Sequence, residues 1–96
     1  MNYLQLLAEK IKAEVPTGVL PDTPNLNSLF LTYAVLLLAK GANTTKEDVH
    51  NAWAAWMLQN DSSHGSIVPF EELSADVQEQ DMPFVDAIHK VANAQN

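Results

Sequence analysis

The chain contains no cysteine, so disulfide staples and thiolate metal ligands are both excluded and the redox compartment is left open. Its three glycines, Gly18, Gly41 and Gly65, are scattered, which rules out a phosphate-cradling glycine loop. Basic side chains are few: five against twelve acidic ones give a formal charge of −7. A field of that sign repels a phosphate backbone at long range, so no nucleic-acid partner is expected, while a small anion held by local donors remains compatible with it. Long apolar runs are also missing. The longest, Leu29 to Ala39 with Thr32 inside it, falls well short of the ~20 residues that span a bilayer. The first residues, Met1-Asn2-Tyr3-Leu4-Gln5, lack the basic and apolar regions of a signal peptide. A soluble, cytoplasmic chain with no membrane partner is the expectation.

What is present suits one domain over residues 1–96, since 47% of the chain is apolar and domains commonly run about 100–150 residues. Leu4, Leu7, Ala8, Ile11 and Val15 recur at helical spacing and predict a first amphipathic helix from Asn2 to Glu14, ended by Pro16. A proline-rich loop follows, to Pro24. Asn25 or Asn27 can cap a second helix through Ser28 to Lys40, stopped by Gly41. That helix has almost no polar face, so it is either the buried centre of the fold or partly covered by a partner. Thr44-Thr45-Lys46-Glu47 fits a capping box for a third helix, which carries Val49, Trp53, Trp56 and Met57 on one side. Asn60 to Ser66 reads as a polar loop and Ile67-Val68-Pro69-Phe70 as a short extended return to the core. Ser74 caps a short helix, and Asp81 caps a last one with Pro83 in its first turn and Phe84, Val85, Ile88, Val91 and Ala92 buried. The fold class is mainly α: a compact bundle of four to five helices, with at most a short extended segment around Ile67–Phe70.

No catalytic arrangement stands out, and a non-enzyme is expected. Ser62, Ser63, Ser66 and His64 share a loop, not a strained strand-to-helix elbow. His50, His64 and His89 match no dense ligand spacing, so structural or surface roles are favoured over a metal, and no cofactor is implied. Trp53 and Trp56, three apart on one helix, cannot both point to the same spot. Either both are core, or one lies at its edge as a stacking platform or partner contact. Tyr33 is a core residue with its hydroxyl satisfied, or a pocket wall.

The stretch His50-Asn51-Ala52-Trp53, then His64-Gly65-Ser66-Ile67-Val68-Pro69-Phe70, then Glu71-Glu72-Leu73 and Asp81, resembles the RyR domain. That module is repeated in the cytoplasmic part of ryanodine receptors and found alone in bacterial and phage proteins. The likeness covers Asp48 to Val91 and divides the chain into an N-terminal helical pair, 1–43, and an RyR-like segment, 44–93. The family's longer basic loop between the two histidines is missing, and its proline after the second histidine is Gly65. The first half is similar to small proteins of phages infecting actinobacteria.

The resemblance implies a compact helical fold with a short extended pair near Val68-Pro69-Phe70, and a non-catalytic module binding a nucleotide-type signal, acting as sensor or sequestering protein in a host cytoplasm. Its implied ligand-binding set is His50, Trp53, Trp56, His64, Val68, Pro69 and Phe70, with Trp53 as the stacking platform. The alternative is a protein-interaction or homo-oligomeric helical module without a small ligand, motivated by the apolar second helix and by Trp56 and Met57, residue types enriched in interface cores.

Overall fold

In the computed structural model, which describes residues 1–95, the chain forms five α-helices: α1 (Tyr3–Glu14), α2 (Leu26–Lys40), α3 (Lys46–Asn60), the short α4 (Ala75–Glu79) and α5 (Met82–Ala94). Single 3-10 turns stand at Thr17–Val19, Gly41–Asn43 and Phe70–Glu72. There is no strand among the described residues. The helical bundle is as the sequence pattern predicts. No helix among them is long and apolar enough to cross a membrane.

The helix starts are set by short polar side chains. Asn2 accepts from the Gln5 amide while Gln5 reaches back to the Asn2 amide, a reciprocal capping box for α1. Val15 ends that helix in an extended conformation (ψ 130°), as a residue before proline must. The box of α3 lies one residue later than the sequence suggests. Thr45, not Thr44, accepts from the Asp48 amide, and Asp48 accepts from the Thr45 amide. Both threonines have an acid three residues on. Thr44 is withdrawn because it is buried: its hydroxyl donates to the Gly41 carbonyl and its carbonyl accepts from His89 Nε2 at 2.7 Å. Lys40 pairs with Asp48 at 2.8 Å; against the desolvation that burial brings, this lysine and the Thr45 donors hold the Asp48 carboxyl below its usual range. Gly41, at φ 54° and ψ −127°, turns the chain between α2 and α3 in a conformation that side chains with a Cβ resist.

Helix α2 is the shared wall of the bundle, packing on α1, α3 and α5. Its buried face is Leu29, Phe30, Tyr33, Ala34 and Leu37. Of the two expectations for this helix, the buried centre of the fold or partial cover by a partner, the first holds for one face only, because Val35 and Leu38 stay 55% and 57% exposed. Asn25 precedes α2 without a side-chain cap; instead its Nδ2 donates to Asn60 Oδ1 at the end of α3. From α5, Phe84, Val85, Ile88, Val91 and Ala92 are all buried, as the sequence predicts. Phe30, Tyr33 and Phe84 form an aromatic cluster with ring centroids 5.5–6.2 Å apart, tying both halves of the chain into one core.

The extended segment expected at Ile67–Phe70 forms no strand. No strand pairs with it among the described residues. The Val68 carbonyl goes to a histidine, and Pro69 (φ −54°) opens the 3-10 turn at Phe70.

Candidate functional site

Two tryptophans three apart on α3 face different neighbours, and this decides which can meet a ligand. Trp56 is buried, its indole N–H donating to Ser28 Oγ of α2 at 2.7 Å. It is a structural pin between helices, and the cleft described below does not include it. Trp53, one turn earlier, is half-buried and forms part of a cleft of about 430 Å³. Cavities of about 300–1,000 Å³ are typical of small-molecule sites.

The cleft is built from every part of the chain after α1. Val19 and Pro21 come from the proline-rich loop, Tyr33 from α2, His50 and Trp53 from α3, and His64 and Ser66 from the following loop. Leu73, Val77, Glu79 and Gln80 come from α4 and its flanks, with Asp81, Pro83 and Phe84 at the start of α5.

His50 holds one side. It is 3% exposed and its Nε2 donates to the Val68 carbonyl at 2.7 Å, which places the proton on Nε2 and ties the 61–69 loop to α3. Its ring lies nearly parallel to Trp53 (centroids 5.8 Å, 26° between planes) and against Phe70 at 6.1 Å. His64 also meets Trp53, edge-on at 5.1 Å and 83°, while its Nδ1 accepts from the Ser66 amide. The loop that presents His64 is bent by Asp61, which accepts from both the amide and the hydroxyl of Ser63. The tryptophan ring is thus fixed by two imidazoles.

Of the residues expected to bind, the structure brings together His50, Trp53 and His64 in the cleft. Val68, Pro69 and Phe70 lie outside its lining: the Val68 carbonyl anchors His50, Phe70 backs the His50 ring, and Pro69 is exposed.

Two further lining groups are Tyr33, which the sequence left open between a core residue and a pocket wall, and Asp81. Tyr33 is 1% exposed, its ring locked against Phe30 and Phe84, and its hydroxyl has no hydrogen-bond partner among the described residues. Since no fully enclosed side-chain polar atom among them lacks a partner, that hydroxyl opens onto the cleft. Burial, with Asp81 nearby, raises the Tyr33 phenol far above its ordinary range, so it is neutral and available as a donor. Asp81, expected only as a cap, makes no side-chain capping bond; its αR backbone (φ −81°, ψ −14°) leaves the carboxylate facing the cleft. Burial pushes the Asp81 carboxyl up from 3.8 to about 6, against the pull of His50 and Lys46. The structure favours the pocket-wall alternative for Tyr33, whose hydroxyl finds no partner in the core among the described residues.

No lysine lines the cleft, and Lys46, near its rim, is ion-paired with Glu79. No three His, Asp or Glu side chains gather as a metal site among the described residues. Nor does a serine or threonine hydroxyl there hydrogen-bond to a histidine ring. The arrangement offers an aromatic face, a carboxylate and a phenolic hydroxyl.

No curated protein and no solved structure matches the chain. A family model described as a domain of unknown function, DUF7701, matches residues 2–93, which takes in α1 and nearly all of α5. The chain belongs to the DUF7701 family.

Proposed function

We propose that the chain is a non-catalytic binding module for a small planar ligand of nucleotide type, seated in this cleft with its ring on Trp53. The observation that carries the reading is a half-buried indole, in contact with His50 and His64, at the wall of a ligand-sized cavity. Stacking a base on an aromatic side chain contributes about 1–3 kcal/mol. The likeness of His50, Trp53 and His64 to the RyR pattern supports a nucleotide-type signal, sensed or sequestered in a cytoplasm, including that of a phage-infected host. With no lysine or arginine in the lining, the base and not the phosphate carries the affinity. A thermal-shift screen against purine nucleosides and nucleotides tests this. A ligand at a hundredfold over its dissociation constant adds ~2.7 kcal/mol, or roughly 10 °C or more for a domain this size. A flat screen would refute it.

The second reading, a protein-interaction or self-associating module, rests on Val35 and Leu38, apolar and exposed on the outer face of α2. Trp56 and Met57 do not serve it, since one is buried and the other half-buried against the core. Light scattering tests this reading: a strict monomer across concentrations refutes self-association.

A further inference from the structure

We infer that the part of the cleft lined by both Tyr33 and Asp81 recognises a planar edge carrying two adjacent N–H donors, as an amidinium or a guanine ring presents. This rests on the small-ligand reading above and specifies which edge the ligand turns inward.

Buried polar groups are nearly always hydrogen-bonded. Tyr33 stands out within the protein: its ring is fully packed, and its hydroxyl, with no protein partner among the described residues, can be satisfied only through the cleft it opens onto. Packing alone would be served by phenylalanine. Asp81 stands out as well, since a carboxylate at a helix start normally bonds the first-turn amides, and this one does not. Two polar groups from α2 and α5 therefore converge on one cavity with their bonding capacity unspent.

The ionised carboxylate is acceptor-only, with two oxygens in one plane. Two neighbouring N–H groups satisfy both at once in the bidentate geometry that gives the stronger charge-assisted pairs. Guanine presents N1–H and its exocyclic amine in that arrangement, and the adjacent carbonyl oxygen is left for the Tyr33 hydroxyl to donate to. Adenine presents one donor beside one acceptor, which sets a lone pair against a carboxylate oxygen. The surrounding charge agrees: Glu79 is the other acid of the lining, and the nearby Lys46 is already engaged by it. Trp53 supplies the face and Asp81 the edge.

The test is isothermal titration of the full chain near pH 8 with guanosine, inosine, adenosine and benzamidine, repeated on Asp81→Asn, Tyr33→Phe and Trp53→Ala. Asparagine and phenylalanine conserve shape, and circular dichroism verifies the fold of each variant. Guanosine should bind at least tenfold tighter than adenosine, with inosine between them because it lacks the exocyclic amine. Asp81→Asn should abolish that preference and weaken benzamidine tenfold or more. Tyr33→Phe should weaken guanosine severalfold and spare benzamidine. Equal affinity for guanosine and adenosine, or binding lost in Trp53→Ala but untouched by Asp81→Asn, overturns this inference and leaves the cleft reading standing. No binding of any of the four probes, together with a flat nucleotide screen, overturns both.

Discussion

Replacing Asp81 by asparagine keeps the side-chain volume and removes a charge that the fold holds at a disadvantage. Burial moves this carboxyl from 3.8 to about 6, in surroundings formed by Tyr33 of α2, His50 and Lys46 of α3, and Glu79 of α4. At 1.36 kcal/mol per pH unit, the displacement corresponds to ~3 kcal/mol. The group sits at a cleft partly open to water, and screening reduces the figure to about 1–2 kcal/mol.

The sign follows from proton counting. Between 3.8 and about 6 the native state holds a proton that the unfolded chain has lost, so lowering the pH through that window stabilises the fold. Above it both states are ionised and the native state bears the whole penalty. Below it both are protonated and the penalty is gone. Asp81→Asn should therefore be about 1–2 kcal/mol more stable than the parent near pH 8, with the gain fading to nothing below about pH 4. Urea unfolding of both proteins at matched pH values reads the difference directly, because other titrating groups cancel and the slopes should coincide. A variant that is less stable near pH 8, or whose gain is the same in acid, would refute the reasoning.

Three further outcomes are expected. Thr45→Ala removes the capping bond to the Asp48 amide and should cost about 1 kcal/mol in urea unfolding, whereas Thr44→Ser, which keeps the hydroxyl on Gly41, should cost less. His50→Ala orphans the Val68 carbonyl and should cost about 1–3 kcal/mol, with amide exchange rising across residues 61–69 more than in α1 or α2. Gly41→Ala meets open space, its nearest foreign atom being the Ala92 Cβ at 4.0 Å, so about 1 kcal/mol of loss should arise from the positive φ alone.

Much of the fold was legible because its signals are local. The Leu7, Ala8, Ile11 stripe of α1 and the Phe84, Ile88, Val91 stripe of α5 follow helical period, and both are buried where the period puts them. Legibility failed where a distant partner decided between local equals. Thr44 and Thr45 offer the same box, and His89, on another helix, selects the second by taking the Thr44 carbonyl. Val68 to Phe70 looks extended, yet a strand needs a neighbouring strand, and here the Val68 carbonyl accepts from His50 and the Phe70 carbonyl from Gln78 instead. Spacing alone likewise could not separate the two tryptophans, because Ser28 of α2 is what fixes Trp56 inside. In the cleft, His50, Trp53 and His64 were visible because they lie close in sequence. That Tyr33, left open between core and pocket wall, and Asp81, expected as a cap, line the same cavity was not, since it depends on how α2 packs against the start of α5.

The central claim is that the Trp53 cleft binds a small planar ligand, and the most direct measurement is calorimetric titration of purine nucleosides into the parent chain, Trp53→Ala and Trp53→Leu. The account predicts saturable binding by the parent, lost tenfold or more in both variants while their circular dichroism is unchanged. Binding of equal strength in the folded variants, or no heat from any nucleoside in the parent, would contradict it.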